Sequence, residues 1–77
     1  MKKIYSKQAV KSIGKINNPT KRRIKNGIEK LPDGDVKKLQ GYENLYRLRV
    51  GDLRIIFSYA DEDTILIEEV ETRGSVY

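Results

Sequence analysis

A chain of 77 residues with 38% apolar and 35% charged side chains is one domain, near the lower size limit for folding without covalent staples. It contains neither cysteine nor histidine. That excludes disulfides, thiolate metal sites, a cysteine nucleophile and the usual proton acceptor at neutral pH, so any catalysis has to run on Lys, Arg, Tyr, Asp or Glu. The net charge of +5 hides a gradient: residues 1–30 carry ten basic side chains against one acid, whereas residues 61–77 carry six acids and only Arg73.

A basic half of that density suits a polyanion such as nucleic acid. Lysines on the wet faces of helices account for much of it, and the acidic end argues against a protein that coats DNA. No apolar run approaches the roughly 20 residues of a membrane span. Lys2 and Lys3 have no apolar stretch behind them of the kind a signal peptide needs. The expectation is a soluble, cytoplasmic protein with a single domain over residues 1–77.

In chain order, Lys2–Tyr5 reads as a short strand, and Ser6 as the N-cap of a first helix whose apolar stripe is Ala9, Val10, Ile13 and Ile16. Asn17-Asn18-Pro19-Thr20 reads as a stop and restart, with Pro in the first turn of a second helix carrying Ile24, Ile28 and Leu31. Pro32-Asp33-Gly34-Asp35 ends that helix. Val36, Leu39 and Tyr42 read as part of a linking loop. The period then changes to two: Leu45–Val50 and Leu53–Tyr59 alternate around Gly51-Asp52, a two-residue turn of type II′. After a looser turn at Ala60–Asp63, Thr64–Val70 reads as the last strand of a meander. The predicted order is β-α-α-β-β-β, an α+β domain with a helical hairpin on one face of a mostly antiparallel sheet.

The turn dictates a register. If Gly51-Asp52 is the turn, Val50 pairs with Leu53, Arg49 with Arg54, Leu48 with Ile55, Arg47 with Ile56 and Tyr46 with Phe57. Because strand side chains alternate faces, Tyr46, Leu48, Val50, Leu53, Ile55 and Phe57 form a core face. Arg47, Arg49 and Arg54 share the other, with Ile56 and Leu45 beside them. Like charges directly opposite one another are unfavourable. An anion would relieve the repulsion, and Arg matches phosphate bidentately. The competing accounts are neutralisation by Glu69 or Glu71 of the neighbouring strand and side chains that merely reach into water. Glu68, Glu69 and Glu71 read as a wet strand face rather than a metal site. Tyr5, Tyr42 and Tyr59 read as packing residues with wet hydroxyls.

The stretch KKLQGYENLYRLRVGDLRIIF (Lys37–Phe57) resembles the central signature of RelE/ParE-type toxins of bacterial toxin–antitoxin pairs, and the closing RGSVY (Arg73–Tyr77) resembles their C-terminal Arg…Val-Tyr motif. The resemblance covers nearly the whole chain. It implies a RelE-like fold and a metal-independent endoribonuclease, without cofactor, that cleaves mRNA in the ribosomal A site by attack of the 2′-hydroxyl on the adjacent phosphate. Residue by residue it implies that Arg47 and Arg49 contact RNA and assist proton transfer. Arg54 and Arg73 hold the phosphate and stabilise its transition state, and Tyr77 stacks on or orients a base. Lys37 and Lys38 stand as further RNA contacts, and they or Tyr77 as stand-ins for a proton acceptor.

The sequence departs from the best-studied family pattern, which has lysines near Arg47 and Arg49, and it has Glu71-Thr72 where many relatives have Gly followed by a His or another basic residue. The resemblance also implies a RelB-like antitoxin. An acidic, amphipathic segment that folds on binding suits an arginine face with apolar edges at Leu45 and Ile56. The alternative within the same family is a ParE-like inhibitor of DNA gyrase without nuclease activity.

Overall fold

The computed structural model describes residues 1–72. In chain order these form β1 (Lys2–Tyr5), α1 (Lys7–Gly14), α2 (Asn18–Glu29), β2 (Val36–Lys38), β3 (Tyr46–Val50), β4 (Leu53–Asp61) and β5 (Thr64–Thr72). The strands make one sheet ordered β1-β5-β4-β3-β2, antiparallel throughout except where β1 runs parallel to β5.

The first helix begins at its expected cap, Ser6, and the second begins within the expected restart, at Asn17. The Ser6 hydroxyl oxygen accepts from the Ala9 N–H at 3.0 Å and donates to the Glu68 carbonyl at 2.6 Å, so one side chain starts α1 and ties it to β5. The Asn17 side-chain oxygen accepts from the Thr20 N–H at 2.9 Å, and Pro19 sits in the first turn of α2. Each bond satisfies a donor that a helix N-terminus otherwise leaves without a partner.

The β3–β4 ladder has the predicted register, with Arg49 opposite Arg54 and Val50 opposite Leu53. Gly51 takes φ +59°, as the first position of a type II′ turn requires. Several elements differ from expectation: α1 and α2 end at Gly14 and Glu29, before Ile16 and Leu31 of their predicted stripes, and β4 runs to Asp61, into the predicted turn. Val36–Lys38 is a strand and not a linking loop, so the sheet has five strands and the order is β-α-α-β-β-β-β. Three residues are too few to show a period of two; Val36 to Lys38 become a strand by pairing with Leu48 to Tyr46. The last strand also runs two residues further, to Thr72.

Ile24 and Ile28 of α2 and Ala9 of α1 pack with Leu48, Ile55, Phe57, Ile65 and Ile67 of the sheet, and all are nearly inaccessible. Burying one such aliphatic or aromatic side chain is worth about 1.5–3 kcal/mol. α2 approaches β3 closely at Gly27, where a Cβ would stand 2.8 Å from Val50 Cγ2. Tyr46 stacks on Phe57 with ring centroids 5.5 Å apart, and Tyr59 meets Tyr46 edge-on at 5.4 Å, so Tyr59 packs as expected. Tyr42 does not, being 59% exposed.

Candidate nucleic-acid interface

The face of the sheet turned away from the two helices carries the arginines. Paired residues in a ladder share a face. The register therefore sets Lys37, Arg47, Ile56 and Glu69 in one row and Arg49, Arg54 and Glu71 in the next. Lys38 pairs with Tyr46, on the core side, so it does not join them. Arg73 and Tyr77 lie outside the described residues.

The three arginines are employed differently. Arg47 is 9% exposed. Its Nη1 donates to the Asp35 carbonyl at 3.0 Å and to Asp35 Oδ1 at 3.2 Å. The Arg49 N–H donates to that same carbonyl at 3.0 Å. Asp35 thus receives two donors from β3, and Arg47 holds the segment leading into β2. Arg54 donates through Nε to Glu71 Oε1 at 2.7 Å, with Nη2 2.6 Å from the same oxygen. Both side chains are well exposed, and such pairs are worth about 0.2–1 kcal/mol. Arg49 is exposed, and among the described residues its guanidinium has no ion-pair or hydrogen-bond partner.

A β-bulge brings Glu71 to Arg54. Ile56 pairs with Glu69 while Phe57 pairs with Ile67, which leaves Glu68 without an opposite residue. Strict alternation from Ile65 and Ile67 would send Glu69 and Glu71 to the core face. The extra residue reverses the parity, so Val70 is buried against Ile55 and Glu71 faces Arg54. Glu68 Oε2 accepts from the Ser58 hydroxyl at 2.7 Å. Among the described residues, no group of three acids is gathered so as to hold a metal ion.

Sequence reasoning found the arginine face and named Glu71 as a possible neutraliser. It misses Asp35, because the three-residue strand that follows Asp35 has no period of its own and forms by pairing with β3. It also took Ile56 for an exposed apolar edge, whereas Ile56 lies between Arg47 and Glu69 and is 8% exposed. Such a surface can do one thing well. Among the described residues a free guanidinium and a weakly engaged one stand opposed on neighbouring strands, and guanidinium donors so placed can accept an oxyanion such as phosphate.

The chain matches the family described as ParE toxin of type II toxin–antitoxin system, parDE, over residues 4–77. It is 35% identical to Toxin RelE3 of Methanocaldococcus jannaschii, an alignment that covers all of this chain and 96% of that one. Among solved structures, it resembles the toxin of the RelB–RelE antitoxin–toxin complex from Methanococcus jannaschii, with TM-score 0.75 and 32% identity over 90% of this chain and 88% of that one. It likewise resembles the RelE–RelB complex of Pyrococcus horikoshii, with TM-score 0.73 and 30% identity over 97% of both chains. The intact Escherichia coli RelBE complex, at TM-score 0.74 and 18% identity over 97% and 98% of the two chains, shares the fold. The sheet order, the arginine register and these likenesses converge: the chain belongs to the ParE/RelE toxin family and is the RelE-type toxin of a toxin–antitoxin system.

Proposed function

We propose that this toxin is an endoribonuclease that cuts mRNA in the ribosomal A site, attacking the scissile phosphate with the neighbouring 2′-hydroxyl. The observation that carries the reading is Arg49 held opposite Arg54 on the sheet face turned away from α1 and α2. Two guanidiniums at one ladder position repel each other, and a phosphodiester between them turns that repulsion into attraction. The bond from Arg54 to Glu71 is exposed and weak. A charge-assisted hydrogen bond to phosphate, at about 1.5–3 kcal/mol, is strong enough to recruit the guanidinium. Lys37, in the row beside Arg47, adds a point charge for the RNA backbone. Arg73 and Tyr77 complete the site as phosphate and base contacts.

The partner in this reading is a RelB-like antitoxin, by likeness to the RelE–RelB complexes. Its acidic stretches would engage the same arginines and so compete with RNA.

A second reading, a ParE-like inhibitor of DNA gyrase, is favoured by the name of the matching family. The two separate in parallel reactions, one a translation extract assayed for mRNA cleavage and the other a gyrase supercoiling assay. Cleavage with unimpaired supercoiling supports the nuclease. Blocked supercoiling with intact mRNA supports the inhibitor.

A further inference from the structure

We propose that Glu71 is the proton acceptor for the attacking 2′-hydroxyl, a role that rests on the RNA-cleaving reading above. The chain has no histidine and no cysteine, and a guanidinium stays protonated in proteins. The arginine face can therefore bind a phosphate but cannot by itself deprotonate its neighbour. In-line attack needs the 2′-oxygen within about 3–3.5 Å of phosphorus. A base for that oxygen must accordingly lie within a hydrogen bond of the phosphate site.

Glu71 meets this condition by direct contact with the group that would hold the phosphate. Its Oε1 receives both Nε and Nη2 of Arg54, at 2.7 and 2.6 Å. Among the described residues its Oε2 has no partner, and the Nη1 side of the Arg54 fork is equally unengaged. One guanidinium can thus present a donor to phosphate while it orients a carboxylate whose second oxygen is open.

The neighbouring carboxylates are otherwise placed. Asp35 accepts from Arg47, and Glu68 accepts from the Ser58 hydroxyl. Glu69 shares the face one row away, opposite Ile56, and is paired with no guanidinium among the described residues. The bulge at Glu68 sets Glu71 on this face, and a bulge that re-aims a side chain beside a reactive site is a recurrent device.

In the step itself, Glu71 Oε2 takes the 2′-hydroxyl proton as the 2′-oxygen bonds to phosphorus. The phosphorus–5′-oxygen bond breaks, and the leaving oxygen takes a proton from solvent water. Glu71 returns its proton to the hydroxide so formed. The products are a 2′,3′-cyclic phosphate and a 5′-hydroxyl.

The test uses ribosomes programmed with a short mRNA, single-turnover cleavage and a parallel measurement of toxin binding, with wild type, Glu71→Gln, Glu71→Asp and Glu69→Gln. Glu71→Gln keeps an oxygen for Arg54 but cannot accept the proton. It is expected to lose about 10²–10⁴-fold in cleavage rate, the usual contribution of a general base, with binding nearly unchanged. Glu71→Asp, which can still accept the proton, should cleave at a rate between those of wild type and Glu71→Gln, and Glu69→Gln at the wild-type rate. Cleavage by Glu71→Gln within about tenfold of wild type, a difference of some 1.4 kcal/mol in barrier, would overturn the assignment and leave Glu71 as a neutraliser of Arg54. Loss in Glu69→Gln instead would move the role to that residue. Absence of cleavage by wild type defeats the nuclease reading, and this proposal with it.

Discussion

Arg49 and Arg54 face each other across the β3–β4 ladder, yet among the described residues only Arg54 has a carboxylate partner, Glu71. A directly opposed like-charge pair costs stability, and in the proposed reading an RNA phosphate offsets that cost. Arg49→Ala is expected to leave the melting temperature unchanged or to raise stability by up to about 1 kcal/mol. The same variant should reduce mRNA cleavage by about 10²-fold or more, the usual loss on removing one preorganised donor to a transition-state oxyanion. A thermal melt beside a cleavage assay checks both halves.

Arg47 predicts the reverse. Its guanidinium is nearly buried and is held by the carbonyl and the carboxylate of Asp35. Arg47→Ala removes these bonds and the packing of its stem. The expected loss is about 1–3 kcal/mol, or roughly 4–8 °C in melting temperature per kcal/mol for a domain of this size. Calorimetry of Arg47→Ala and Arg49→Ala should separate two residues that a sequence pattern makes equivalent.

Gly27 tests how tightly α2 sits on the sheet. In an exposed helix, Gly→Ala stabilises by about 1 kcal/mol. Here the new Cβ would stand 2.8 Å from Val50 Cγ2 and 3.5 Å from Leu48 Cδ2. Overpacking costs about 1–3 kcal/mol. Gly27→Ala should therefore destabilise in urea titrations despite its better helix propensity.

Asp61 gives a pH dependence. The Asp63 N–H, donating to Asp61 Oδ1 at 2.8 Å, and then the Thr64 hydroxyl hold its carboxyl below the ordinary carboxylate value. A lowered folded-state value means that the stabilisation is present above the unfolded value, near pH 4, and disappears as pH falls through the folded one. Asp61→Asn, which does not titrate, should melt below wild type at neutral pH and close the gap as the solution is acidified.

Much of this was legible in the residues. Ser6 and Asn17 mark both helix starts because capping is local chemistry. Gly51-Asp52 fixes the hairpin register because a two-residue turn leaves one pairing, and that pairing alone places the three arginines together. What escaped was non-local. Val36–Lys38 is a strand only because β3 lies beside it, and without that strand Asp35 has no visible connection to Arg47. The bulge at Glu68 was hidden too: Ile65, Leu66 and Ile67 form an unbroken apolar run, and only burial in the fold shows that Ile65, Ile67 and then Val70 face the core, a step of two and then of three. A strand that alternates and then skips one position announces a change of face. Here that change decides whether Glu71 meets Arg54 or the core.

In the proposed function, Arg49 and Arg54 cradle an RNA phosphodiester. Primer extension across an mRNA held in ribosomes with a vacant A site tests it most directly, comparing wild-type protein with Arg54→Ala. The account predicts new ends within the A-site codon for wild type and a signal about 10²-fold or more weaker for Arg54→Ala, in a variant that melts like wild type. Equal cleavage by the two proteins, or an intact message with wild type, would contradict it.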